Sequence, residues 1–120
     1  MNRVLPLILL AASLSAYAQE TKTPPQLVRQ ALADGRAAGT VGGPVAEETR
    51  RRLNATGTLQ LVVQRLYLFQ QPDCGHVQLD FTQDAALLPG TAMPAPYRWS
   101  TQMNICADGY PPSTLTRRSK

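Results

Sequence analysis

The side chains with the most reactive chemistry in this chain are two cysteines, Cys74 and Cys106, and a single histidine, His76. A metal site, a redox pair and a structural disulfide are the functions that such residues can serve. A structural zinc site needs four ligands, whereas Cys74 and His76 would supply only two. The C-x-x-C spacing typical of disulfide exchange is missing from the sequence. The pattern therefore favours a structural disulfide between Cys74 and Cys106, and it predicts no cofactor and no metal site.

Residues that could support hydrolysis are sparse. A serine or cysteine triad needs a histidine oriented by a third group, and no G-x-S-x-G motif surrounds any serine. Asp73, Asp80 and Asp84 are near His76 in sequence and could form a carboxylate site. The same aspartates occupy turn and strand-edge positions, where this residue is common for local geometry. We therefore expect no enzymatic activity, and an unrecognised hydrolase built around His76 is the alternative.

The cysteine spacing predicts how two strands pair. The stretches that follow Cys74 and precede Cys106 alternate between apolar and polar residues, as half-buried strands do. If they pair antiparallel with Phe81 opposite Trp99, both apolar stripes lie on one face, because side-chain direction has a period of two. The same register places Cys74 opposite Cys106. Burial and disulfide formation thus predict the same register independently.

Two helical and three extended segments must position these residues. Helices are predicted at residues 24–34 and 44–53, each of which begins with proline at a favourable first position. Strands are predicted at residues 59–69, 76–82 and 97–106. We expect an α+β fold, with one or two N-terminal helices packed on a three-stranded antiparallel sheet and one disulfide.

The first predicted strand is apolar on both faces. An ideal strand would place Leu61, Val63, Tyr67 and Phe69 on one face. Val62, Leu66 and Leu68 would then lie on the other face. Such a strand is usually central in a sheet or covered on both sides.

Residues 1–18 have the three parts of a secretory signal peptide. Arg3 supplies a charged start, an apolar run follows, and an A-x-A pattern precedes the expected mature start at Gln19. The apolar run is shorter than the about 20 residues that a permanent membrane helix needs. We therefore expect a periplasmic or secreted protein without stable membrane insertion.

The rest of the chain divides into three predicted parts. Residues 19–35 form an N-terminal segment with a short helix, and residues 36–112 form the α+β domain that holds the disulfide. Residues 113–120 are a polar, basic tail that we expect to be disordered. Residues 35–43 contain glycines and little bulk, and they predict a flexible connection.

The chain is mildly basic, with a formal net charge of +4. Much of the excess lies in the tail and in Arg50–Arg52, at the end of the second predicted helix. Glu47 and Glu48 precede these arginines, and the pairs Glu47–Arg51 and Glu48–Arg52 have favourable helical spacing. The arginines therefore need no ligand. An exported protein without an aromatic and basic groove pattern is also not expected to bind nucleic acid.

Four short motifs occur together along the chain. They are Gly39–Pro44 (GTVGGP), Arg51–Asn54 (RRLN), Asp73–Gly75 (DCG) and Cys106–Pro112 (CADGYPP). Their layout resembles small exported proteins, mostly uncharacterised, that are encoded on mobile elements beside conjugative type IV secretion genes. The resemblance covers residues 36–112. It implies an accessory role in the cell envelope and contributes no catalytic residue.

The last predicted strand is the candidate interaction site. It would be an edge strand if the strands lie in chain order, and an edge offers unpaired backbone donors and acceptors. Its outward face would carry Arg98, Ser100, Gln102 and Asn104. An extended segment of an unknown envelope protein could add to this edge. Trp99 would serve the core or anchor the partner.

Two alternatives to this binding site remain. The polar side chains of the last strand could simply protect its edge against association. The protein could also be a small secreted inhibitor or effector that acts through a surface loop, for which residues 83–96 are the candidate.

Overall fold

The computed structural model describes residues 20–119, in which short elements precede three long strands. The elements are β1 (Thr21–Lys22), α1 (Pro24–Asp34), β2 (Arg36–Val41), α2 (Pro44–Arg52), β3 (Leu59–Leu68), β4 (Cys74–Ala86) and β5 (Ala95–Cys106). The signal peptide predicted at residues 1–18 lies outside the described residues.

The strands form one sheet whose order follows the chain, β1-β2-β3-β4-β5. β1 and β2 are parallel, and every later pair of neighbours is antiparallel. The α+β class, the two helices and the disulfide are confirmed. The prediction of a three-stranded antiparallel sheet is wrong, because in residues 20–119 the sheet has five strands and is mixed.

The missed strand β2 occupies most of the segment predicted to be a flexible connection. The middle of β2 consists of the small residues Ala37–Gly39, and Ala37 and Val41 are buried where α1 packs on the strand. A Cβ atom added at Gly39 would lie 3.4 Å from the Cδ2 atom of Leu27 in α1. Small side chains therefore allow α1 to pack close to β2. Because they are small, the sequence of β2 lacks the alternation of large apolar and polar residues that predicts a strand. β1 is only two residues long and is too short to show any alternation.

Helix α1 has well-defined ends. Gln26 donates its backbone N–H to Thr23 Oγ1 at 3.4 Å, and Thr23 donates its own to Gln26 Oε1 at 2.9 Å. This reciprocal capping box satisfies two backbone donors at the helix start. Gly35 ends the helix in the left-handed conformation, with φ of 95°. The predicted apolar face is confirmed: the buried residues of α1 are Leu27, Val28, Ala31 and Leu32.

Both helices pack on the same face of the sheet. Leu27 of α1 and Ala46 of α2 belong to one core cluster with Leu61 and Val63 of β3. β4 adds buried residues to this core, whereas β5 adds only partly buried ones. The helices therefore bury the residues of β4 more completely than those of β5.

A β-bulge interrupts the pairing of β3 with β4 between Arg65 and Tyr67. Arg65 is still on the helix side, where its Nη1 donates to the carbonyl of Leu32 at 2.8 Å. Tyr67 is on the opposite face and stacks on His76 with ring centroids 4.9 Å apart. The expectation that Tyr67 shares a face with Leu61 is therefore wrong, because the extra residue of the bulge reverses the alternation. β3 is the central strand of the sheet, which is one of the two arrangements that its apolar faces indicate.

The basic tail contacts the end of β3, although we expected residues 113–120 to be disordered. The backbone N–H of Arg118 donates to the carbonyl of Leu68 at 2.9 Å. The guanidinium carbon of Arg117 lies 3.6 Å from the centroid of the Tyr67 ring, in a cation–π contact. The tail thus lies beside the disulfide end of the sheet.

Candidate interaction site on the edge strand

The register predicted for β4 and β5 is the one that the structure shows. Phe81 lies opposite Trp99, and the unbroken pairing continues to Cys74 opposite Cys106. The two cysteines form a disulfide, with their Cα atoms 3.9 Å apart. The bond fixes β5 to β4 at the end where the tail docks.

The outer edge of β5 is unpaired in residues 20–119, because β5 is the last strand of the sheet. Backbone bonds show which groups face outward. Ala107 donates to the carbonyl of Asp73 across the strand pair at 2.8 Å, whereas the N–H of Cys106 bonds to Tyr110 instead. A short Cα separation such as that of the cysteines is typical of pairs without mutual hydrogen bonds. Even-numbered residues of β5 therefore direct their backbone N–H and C=O groups toward the free edge.

The residues whose backbones face the free edge are the four predicted contact residues, Arg98, Ser100, Gln102 and Asn104. Their side chains share the face of the sheet opposite the helices. Asn104 is half-buried and the other three are exposed. One surface therefore combines open backbone positions with a row of polar side chains.

Hydrogen bonds to β4 orient much of this polar row. His76 Nδ1 lies 2.5 Å from Asn104 Oδ1, and His76 Nε2 lies 2.8 Å from Gln102 Oε1. Ser100 donates its hydroxyl to a carboxylate oxygen of Asp80. These cross-strand contacts limit the rotamers of the row and lower the entropy lost when a partner binds.

The residues suggested for a hydrolase are not brought together. His76 and Asp80 share a face of β4, but four residues along a strand correspond to about 13 Å. Asp73 is in the turn before β4 with φ of 61°, and Asp84 accepts a hydrogen bond from Thr58. Among residues 20–119, no group of three or more His, Cys, Asp or Glu side chains is placed to hold a metal ion.

The helix-side face of β5 carries a row of larger side chains that is only partly covered. Trp99 stacks on Phe81 with ring centroids 5.0 Å apart and planes 7° apart, which confirms that it packs against the core. Met103 and Ile105 are also partly buried, and Tyr97 is 39% exposed. The row therefore continues the core out to the free edge.

Grooves flank this row at both ends. One groove of about 280 Å³ is lined by Pro24 and Val28 of α1 and by Met103 and Ile105 of β5. The other, of about 440 Å³, lies between the end of α2 and Tyr97 and Trp99. The sequence indicates the apolar row by its alternation. It contains no signal for the grooves, because they depend on how far each helix extends across the sheet.

The arginine cluster at the end of α2 forms surface ion pairs. Glu48 binds Arg51 at 2.7 Å and Arg52 at 2.8 Å, and Glu47 pairs with Arg50. The Glu48–Arg52 pair is confirmed, whereas Glu47 contacts Arg50 instead of Arg51. Hydrogen bonds from Arg51 and then Arg52 lower the pKa of Glu48 from 4.5 to about 2. Intrahelical pairing therefore accounts for these arginines.

The loop proposed as an inhibitory or effector surface is shorter than expected. Residues 83–86 belong to β4, and β5 begins at Ala95. Gln83 is fully buried, and its Nε2 donates to the carbonyls of Gly57 and Asp84 at 3.0 Å. The connection that remains is residues 87–94, in which Met93 is 76% exposed.

No family model matches this chain, and no match was found among curated proteins or among solved structures. The resemblance to proteins encoded beside type IV secretion genes therefore stays a prediction. Within residues 20–119, none of the helices has the length and apolar character needed to cross a membrane.

Proposed function

We propose that this protein is an exported binding or structural accessory protein of the cell envelope, and that it acts through the outer edge of β5 without catalysing a reaction. The observation that carries this proposal is an open edge on a strand of 12 residues. Register with β4 is unbroken between residues 97 and 106. Strand addition is a common mode of recognition for such an edge.

The geometry defines the kind of segment that fits. Backbone groups of a partner strand would bond to the outward N–H and C=O groups of the even-numbered residues. Its alternate side chains would meet the polar row on one face and the row of Trp99 and Met103 on the other. The grooves at the two ends of the row that contains Trp99 and Met103 offer space for apolar side chains of the partner. The matching segment is therefore an extended strand with one polar and one apolar face.

Two further observations support an envelope location. The disulfide fits a compartment that is oxidising, such as the periplasm or the exterior. The signal-like sequence of residues 1–18 supplies a route of export. Association with conjugative type IV secretion rests on the motif layout of residues 36–112 and is part of the proposal.

A pull-down from envelope extract tests the proposal with a matched pair of variants, Gln102→Pro and Gln102→Ala. The N–H of Gln102 faces the free edge, so proline removes an outward donor while the bonds to β4 remain. Alanine removes the same side chain and keeps the donor. We expect wild type to capture the partner and Gln102→Ala to capture somewhat less, because one contact side chain is gone. Gln102→Pro should lose at least nine-tenths of the capture seen with Gln102→Ala, a difference on the order of 1.4 kcal/mol.

Thermal unfolding must first show that both variants are folded. Equal capture by all three proteins would place the contact elsewhere and contradict the proposal. The loop of residues 87–94 would then be the next candidate, because the exposed Met93 side chain gives it an apolar tip.

A further inference from the structure

We propose that the strand that occupies the edge of β5 is β5 of a second copy of this chain. The two strands run antiparallel about a two-fold axis at Thr101, so that the two sheets join into one. This inference rests on the proposed function, since it names the partner of the same edge. It is argued from backbone positions and side-chain matching.

The backbone positions allow this pairing over residues 98–104. A two-fold axis at Thr101 places Arg98 opposite Asn104 of the second copy and Ser100 opposite Gln102 of the second copy. All four residues direct their backbone groups outward, so each meets a residue with open donors and acceptors. Thr101 is the midpoint of residues 98–104, and this register therefore uses all four of these outward-facing positions. Cys106, whose N–H bonds to Tyr110, and Pro96, which has no N–H, take no part.

The same register matches the side chains on the helix side. Trp99 lies opposite Met103 of the second copy, and sulfur–aromatic contacts of this kind are favourable. Tyr97 lies opposite Ile105 of the second copy, and Thr101 faces its own symmetry mate, a favourable cross-strand pair. The partly exposed row of each copy is thus extended by the row of the other. The groove beside Ile105 in each copy lies next to an aromatic ring of its mate.

Charge does not oppose pairing with a second copy. Arg98 is the one charged residue among residues 95–106. In the proposed register it faces an asparagine, and the two Arg98 positions lie six residues apart along the strands, about 20 Å. That distance exceeds the Debye length of about 8 Å at physiological ionic strength, so the charges are largely screened. Native edges are commonly guarded by charged side chains, proline, inward charges or bulges, and within residues 97–106 Arg98 is the one such feature.

Sedimentation equilibrium of the purified, disulfide-bonded protein tests the pairing. Wild type should sediment as a dimer, and Gln102→Ala, which loses a contact side chain but keeps the backbone donor, should lose less dimer affinity than Gln102→Pro. Gln102→Pro should dimerise at least tenfold more weakly, because each copy loses an outward donor that its mate uses. A dimer that Gln102→Pro leaves unchanged would overturn the proposal.

Cysteine cross-linking tests the axis. Thr101→Cys should form a covalent dimer under mild oxidation, because the two residues face each other at the axis. Gln102→Cys is the matched control. The two Gln102 residues share the face away from the helices, but they are two residues out of register along the strands, which puts them beyond the about 7 Å limit for a disulfide. Efficient cross-linking of Gln102→Cys with none of Thr101→Cys would contradict this register.

Failure of this inference can be told apart from failure of the proposed function. If wild type is monomeric at every concentration while the pull-down still captures a different protein through Gln102, the second copy is excluded and the binding function remains. If neither assay depends on Gln102, both proposals fail.

Discussion

Replacing Cys74 and Cys106 together by alanine should lower the free energy of unfolding by about 3–4 kcal/mol. The cysteines are 32 residues apart, and the bond restricts the loop between them in the unfolded chain. The bond also closes the end of the β4–β5 pair, where both cysteines are buried. A small domain has only about 5–15 kcal/mol of stability, so this loss is a large share.

Urea unfolding of the oxidised wild type and of the double variant measures the difference. Wild type with added reductant is the first control and should lose a comparable amount. The double variant should be insensitive to reductant, since it has no bond to break. A loss below about 1 kcal/mol would show that the sheet holds β5 without the bond.

The second large effect is expected for Leu61→Ala. Leu61 is fully buried in β3, in the core between the sheet and the helices. Truncating a buried leucine removes its transfer free energy and leaves a cavity, which together cost about 2–5 kcal/mol. The bulged strand provides a matched control in Leu66, which is 45% exposed.

Thermal or urea unfolding of both variants gives the comparison directly. Leu66→Ala should stay within about 0.5 kcal/mol of wild type, the usual range for exposed substitutions. Equal losses for the two variants would mean that Leu61 is not in the core. A larger loss for Leu66→Ala would require the bulge to lie elsewhere in β3.

The parts of the fold that were predictable are those with strong periodicity. Alternation in β4 and β5, combined with the positions of Cys74 and Cys106, determines the register found in the structure. Helix α1 was predictable from its prolines, its apolar spacing and Gly35. In each case local pattern and tertiary packing impose the same requirement.

The parts that were missed depend on contacts that leave no pattern in the sequence. The middle of β2 consists of small residues where α1 packs on it, and such a run resembles a linker. The bulge in β3 changes the face of Tyr67 without any glycine or proline to mark it. The tail pairs with β3 through backbone atoms, which are the same for every residue type. In the candidate site, the polar row was predictable, whereas the grooves depend on where the helices end.

Strand order along this sheet has a consequence for how the protein is made. Each of β2 to β5 pairs with the strand that precedes it in the chain. A polypeptide that is synthesised from its N-terminus can therefore add one strand at a time to a sheet that already exists, without waiting for a distant segment. Cys106 is the last residue of β5, so the disulfide with Cys74 can form only after the whole of β5 has been made. Addition of a strand to the edge of β5 would form the same kind of antiparallel backbone pairing that joins β5 to β4.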